Sequence, residues 1–196
     1  MASRGVRPVQ STGHNESSPW AARDYDRCVT VSDLKRRYDY SYWANRKLFA
    51  VIEKLSPDQF TQNVAGSYGS IRNTLVHAMS AEWGWIARCG GPARGPMLKA
   101  DDYPTFASIA EQWAIVEGYA REFLGTLKDE DLDRIVEFDL GPIGAGAVPA
   151  GKLLEHAANH GAHHRGQVAL LLRALGQAPG NVDLLFYDLE KRAVGA

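Results

Sequence analysis

Four of the six histidines of this 196-residue chain fall within nine residues, in the run His156-Ala-Ala-Asn-His160-Gly-Ala-His163-His164-Arg-Gly-Gln167, and a fifth is His77. Imidazole is a common metal ligand and proton carrier at neutral pH, so the clustering needs a physical reason. A helix turns about 100° per residue, which puts His160 and His164 one turn apart and about 40° around one face, so that both rings can reach a single ion. His156 and His160 obey the same spacing, and spacing alone leaves both pairs open. The apolar stripe separates them. Leu153, Ala157, Leu171 and Leu175 fall on the side of His160 that also holds His164, whereas His156 and His163 fall on the other flank. His160 and His164 are therefore expected to face the interior, with His156 and His163 left for supporting hydrogen bonds, solvent or a partner.

A catalytic site of the zinc type takes three protein ligands and keeps one position open, so a third donor must come from another helix. His77 is the candidate. It shares its helical face with Ser70, Thr74, Ala81 and Gly84, while Ile71, Leu75, Met79 and Ile86 point elsewhere, so small neighbours leave room beside its ring. A lone histidine is more often an exposed or hydrogen-bonded imidazole than a ligand. Two inward imidazoles on one stripe, however, are costly to bury without a partner. A divalent ion held by neutral imidazoles keeps its full charge and lowers the pKa of a bound water or thiol, which gives a nucleophile at neutral pH.

Several residues could assist. Asn45 interrupts an apolar stripe between Ser41 and Leu48 and is the candidate catalytic positioning group, the alternative being an amide that ties helices together. Tyr38 and Trp43 are candidates to line the pocket or to be core, and Arg165 to pair with an acid or a substrate anion, with surface solvation the favoured reading. Glu82 and Glu155 could carry protons, although Glu155 falls on the outer side of its helix. Neither Cys28 nor Cys89 lies in a nucleophile motif that would mark an activated thiol.

These residues sit on a recognisable set of elements. A first helix is expected from Val31, capped by Ser32, with Leu34, Tyr38, Ser41, Asn45, Leu48, Ile52 and Leu55 on one stripe and Pro57 beyond it. A second runs from Ser70 to Cys89 before Gly90-Gly91-Pro92, and a third from about Thr105 to Leu127. The alternation Ile135-Val136-Glu137-Phe138 and the glycines from Gly141 to Gly146 predict a loop or small hairpin. The histidine helix then runs from about Pro149 to Leu175, closed by Gly176, and a short helix spans about Val182 to Arg192. The whole is expected to be all-α, an antiparallel four-helix bundle over residues 29–196 with a short irregular or hairpin insertion before the last long helix. Residues 1–28 mix Ser, Gly, Pro and Arg without periodicity and read as a flexible leader.

Composition removes other classes. With 22 Lys and Arg against 23 Asp and Glu, a net charge of −1 provides no global field for a nucleic acid. No apolar run is long enough to span a bilayer, and the N-terminus lacks the apolar core of a secretory signal. Two cysteines suit a reducing compartment, so the expectation is a cytoplasmic protein with no membrane or nucleic-acid partner.

Tyr42-Trp43-Ala44-Asn45, Ser70-Ile-Arg-Asn-Thr-Leu-Val-His77 with Glu82-Trp83, and Asn159-His160-Gly-Ala-His163-His164-Arg-Gly-Gln167 occur in that order over about residues 30–190. Together they resemble the DinB family, the damage-inducible helical-bundle proteins and not the DNA polymerase of the same name. The resemblance implies a four-helix bundle, often a homodimer, holding a divalent metal on three histidines whose positions match His77, His160 and His164. Members of the wider superfamily are thiol S-transferases using bacillithiol or mycothiol, or thiol-dependent isomerases. The implied reading is a metal-dependent transferase or hydrolase with a low-molecular-weight thiol as cosubstrate and an electrophilic small molecule as substrate. The alternative is a non-catalytic bundle stapled by its metal, or a stress-related binding protein. Imidazole ligands do not choose among Zn, Ni, Fe and Mn.

Overall fold

The computed structural model describes residues 29–64, 66–93 and 95–194. The expected leader, and Cys28 with it, lies outside the described residues. Six helices occur among them: α1 (Val31–Ile52), α2 (Pro57–Thr61), α3 (Ile71–Arg88), α4 (Phe106–Thr126), α5 (Ala150–Ala174) and α6 (Leu184–Val194). Strands β1 (Ile135–Asp139) and β2 (Ala145–Pro149) stand between α4 and α5. They pair antiparallel, with Ile135 opposite Pro149 and Asp139 opposite Ala145, so the alternating segment is a hairpin.

Local chemistry sets the ends. Thr30, not Ser32, caps α1: its hydroxyl accepts from Asp33 N–H while the Asp33 carboxylate accepts from Thr30 N–H. The short α2, which periodicity did not predict, is a single turn and a little more, started by a Ser56/Gln59 capping box and Pro57. Ser70 and Thr105 cap α3 and α4 by accepting from Asn73 and Ser108 N–H. At the far ends of α3 and α5, Gly90 (φ 100°) and Gly176 (φ 76°) take the left-handed conformation that lets Gly91 N–H reach Ile86 C=O and Gln177 N–H reach Leu172 C=O.

Helix α5 packs against α3 and α1, and α4 against the same two. Helix α6 rests on α1, where the buried Tyr187 ring meets Tyr40 and Trp43 edge-on at 5.9 and 5.7 Å, and Asp188 accepts from Arg36 at 2.6 Å. The apolar interior is divided into two clusters. One contains Leu34, Tyr38, Tyr42, Ile86, Leu124 and Leu154; the other contains Leu48, Ile52, Met79, Val116 and Leu172. Buried polar residues stand near where one cluster gives way to the other along three of the helices: Ser41 and Asn45 on α1, Glu82 on α3, His164 and Arg165 on α5. Each large aliphatic side chain in the clusters contributes about 1.5–3 kcal/mol by leaving water, and that gain is what permits a polar layer to be carried at all. Among the described residues, no helix is long and apolar enough to cross a membrane.

Candidate metal centre

The contact between α3 and α5 brings His77 together with His160 and His164. Each offers one ring nitrogen, and the three nitrogens lie within 4.8 Å of one another. His164 is buried and the other two are half-buried, so the group opens on one side. The Nε2 atoms of His160 and His164 are 3.1 Å apart. Two ligands of a tetrahedral ion with N at about 2.0–2.1 Å stand about 3.3 Å apart, so this spacing is compatible with two donors on one ion.

Protonation states agree with this use. Gln167 Oε1, which can only accept, is 2.6 Å from His164 Nδ1, so Nδ1 carries the proton and Nε2 keeps its lone pair. The Gln167 amide nitrogen donates to His163 Nε2 at 2.9 Å, and Ser67 Oγ donates to Gln167 Oε1 at 2.7 Å. One amide thus fixes the tautomer of His164, ties down exposed His163 and anchors the loop before α3. Burial, with the neighbouring imidazoles, holds His77 and His160 down to about 4. Burial also lowers His164, opposed by its bond to Gln167. The three rings are therefore neutral donors at neutral pH, and the group could hold a metal ion.

The same shifts set a pH dependence. For each of these groups the folded pKa lies below the ordinary value of 6.5, so the unfolded chain binds more protons between about 4 and 6.5. The stabilisation is present above that window and lost as pH falls through it. Chelator-treated protein is expected to show a falling Tm from pH 6.5 to 4, and this slope should flatten in a His77→Gln, His160→Gln variant.

The other sequence candidates fall elsewhere. Asn45 is buried, and its Oδ1 accepts from Arg165 at 3.5 Å, so its partner is a guanidinium and not an imidazole. It shares with His164, Arg165, Gly161 and Trp113 the lining of a small cavity of about 10 Å³, room for about one water. Arg165 is 7% exposed, which overturns its reading as a solvated surface charge. Gly161, one turn earlier, makes the space: a Cβ there would stand 3.2 Å from Arg165 Nη1. The guanidinium lies over the Tyr40 ring and donates to Ser41 Oγ at 3.4 Å.

Tyr38 donates to Leu154 C=O within the core and Trp43 donates to Glu190 beside α6, so neither joins this cavity. Glu82 lies in the polar layer, where burial raises its pKa and where it accepts from Tyr42 and Trp113. Glu155, expected on the outer side of α5, is half-buried and pairs with Arg37 of α1 and with Lys152. His156 sits edge-on to Trp85 at 5.1 Å, on the flank. Burial pushes the Cys89 thiol up to about 12, the opposite of an activated nucleophile.

Sequence reasoning missed Tyr68, whose ring stacks on His77 with centroids 4.0 Å apart and whose hydroxyl is 2.9 Å from His77 Nε2. It also missed that Gln167 links both sides of the site. The position of Gln167 one turn after His163, and three residues after His164, was the available signal.

A mostly helical protein with a small hairpin and three convergent imidazoles able to hold a metal is the class these features define. The DinB family model matches residues 30–193, and the chain belongs to the DinB family. It is similar to Protein DinB of Bacillus subtilis strain 168, 25% identical over 155 residues that cover 76% of this chain and 90% of that one. The uncharacterized protein YizA of the same strain is 23% identical over 147 residues, covering 74% and 90%. Among solved structures, a DinB-like protein from Bacillus cereus ATCC 10987 superposes with a TM-score of 0.65 at 23% identity, covering 79% of this chain and 98% of that one, a likeness of fold.

Proposed function

We propose that the chain is an antiparallel four-helix bundle that holds one divalent ion on His77, His160 and His164 and transfers a low-molecular-weight thiol to a small electrophile. The observation that carries this reading is the convergence of three neutral imidazole nitrogens within 4.8 Å on a half-open face. When bound there, the ion supplies Lewis acidity that makes a thiol ionise at neutral pH.

The chain's residues prepare the place. Burial keeps the imidazoles unprotonated, and Gln167 holds His164 with its Nε2 toward the other two rings. Arg165 and Asn45 lie behind His164 in the polar layer, and in this reading Asn45 positions substrate through Arg165. The exposed Leu184, Leu185 and Leu189 of α6 offer apolar surface to the homodimer that family membership leads us to propose.

The test is consumption of bacillithiol, mycothiol or glutathione with chlorodinitrobenzene as electrophile. Metal-loaded protein is expected to exceed the uncatalysed rate by at least about a hundredfold, with the excess lost on chelation and in His164→Ala. Stoichiometric metal without turnover of any thiol would support the rival reading, an ion that staples α3 to α5 and raises stability only.

A further inference from the structure

Tyr68 occupies an unusual position for an exposed loop aromatic. Its side belongs to solvent, with the residue 47% exposed, yet its ring lies nearly parallel to His77 at 4.0 Å and 5.7 Å from the ring of His164. The loop that carries it is built to hold it. Ser67, with φ 52°, is the one non-glycine at positive φ among the described residues, a conformation that costs energy and persists only where neighbours enforce it. The enforcing contacts are Ser67 Oγ to Gln167 Oε1 and to Thr74 Oγ1, and Asn73 Nδ2 donating to Tyr68 C=O at 3.1 Å. Gln167 therefore fixes both a histidine of the site and the residue that precedes Tyr68.

The hydroxyl oxygen is 2.9 Å from His77 Nε2, but near-parallel stacking sets it beside the imidazole plane and not in it. The ring's lone pair lies in the plane, so the contact leaves that direction open to an ion. Once the imidazole nitrogens are committed to an ion they no longer accept a proton, and the O–H needs another acceptor. The nearest one on this open, solvent-facing side is whatever binds there as the exchangeable ligand. We infer that the Tyr68 hydroxyl is the hydrogen-bond donor to an anionic ligand, a thiolate or a small inorganic anion, on the open side of the three-histidine site. This rests on the reading of that site as a metal centre. As a donor, Tyr68 stabilises charge on the ligand by a charge-assisted bond.

The test uses the full chain loaded with Co²⁺, whose visible absorption reports the ligands, and azide as the probe. In Tyr68→Phe, which keeps the ring and its stacking, Co²⁺ affinity is expected to stay within about twofold while azide binds about tenfold more weakly, the size of one hydrogen bond to a charged group. Tyr68→Leu should weaken azide to the same extent; a loss seen only in the leucine variant would assign the effect to ring packing and overturn the inference. Unchanged azide binding in both variants overturns it as well, and so does a large loss of Co²⁺ affinity in Tyr68→Phe, which would make the phenol a direct ligand. Co²⁺ uptake by the wild type is read first. If it takes up none, the metal reading fails and this inference with it, whereas loaded protein indifferent to Tyr68→Phe removes only the inference.

Discussion

Elemental analysis of the chain purified without nickel affinity is expected to find about one divalent ion per molecule, and His77→Ala, His160→Ala and His164→Ala are each expected to lose it. The argument is one of converging donors. Removing any one of three imidazoles leaves two, and since loss of a mere supporting partner already weakens metal sites by about 10–100-fold, loss of a ligand should weaken this one by more than about a hundredfold. Gln167→Leu removes the acceptor that fixes the His164 tautomer and should fall in the milder range. His156→Ala and His163→Ala should retain the ion, because these rings lie exposed on the flank, one against Trp85 and the other on Gln167. The two apolar clusters do not depend on the imidazoles, so helical circular dichroism should persist in all five histidine variants. Retention of metal in the three ligand variants together would end the metal reading.

Much of this site could be seen in one dimension because helices convert sequence spacing into direction. The stripe through Leu153, Ala157 and Leu171 was enough to point His160 and His164 inward, and those three apolar residues are indeed buried. Alternation followed by a glycine run gave the hairpin. What escaped has a common physical cause: it depends on contacts between elements distant in sequence. Arg165 reads as a surface charge unless one sees that Gly161 removes a side chain one turn below it and that Ser41 and Asn45 approach from α1. Tyr68 reads as a loop residue unless the left-handed turn at Ser67 is known, and that turn is held by Gln167, about a hundred residues away. Trp43 reads as pocket lining or, more readily, as core until α6 is laid across α1 and Glu190 accepts its indole N–H.

The polar layer between the two apolar clusters leads to the second large effect, which falls on stability. Glu82 Oε1 accepts from Tyr42 at 2.7 Å and Oε2 from Trp113 at 3.2 Å, with the charge of Arg165 nearby favouring the ionised form against burial. Glu82→Leu would leave a buried phenol and a buried indole without an acceptor and Arg165 without a counter-charge. Each unsatisfied buried donor costs about 1–3 kcal/mol, so a loss of about 3–5 kcal/mol is expected, read as the midpoint of urea unfolding. In a chain of this size that lowers Tm by about 10 °C or more. Glu82→Gln keeps an amide oxygen as acceptor and should lose about 1–2 kcal/mol. Neither change should alter metal content, because Glu82 bonds to Tyr42 and Trp113 and not to the three histidines. Glu82→Leu combined with Arg165→Met removes both charges at once and should recover part of the loss if their mutual compensation matters. If the double variant instead proves as unstable as Glu82→Leu alone, the cost lies in the stranded Tyr42 and Trp113 donors, and Arg165 is retained for its place behind His164 rather than for balance with Glu82.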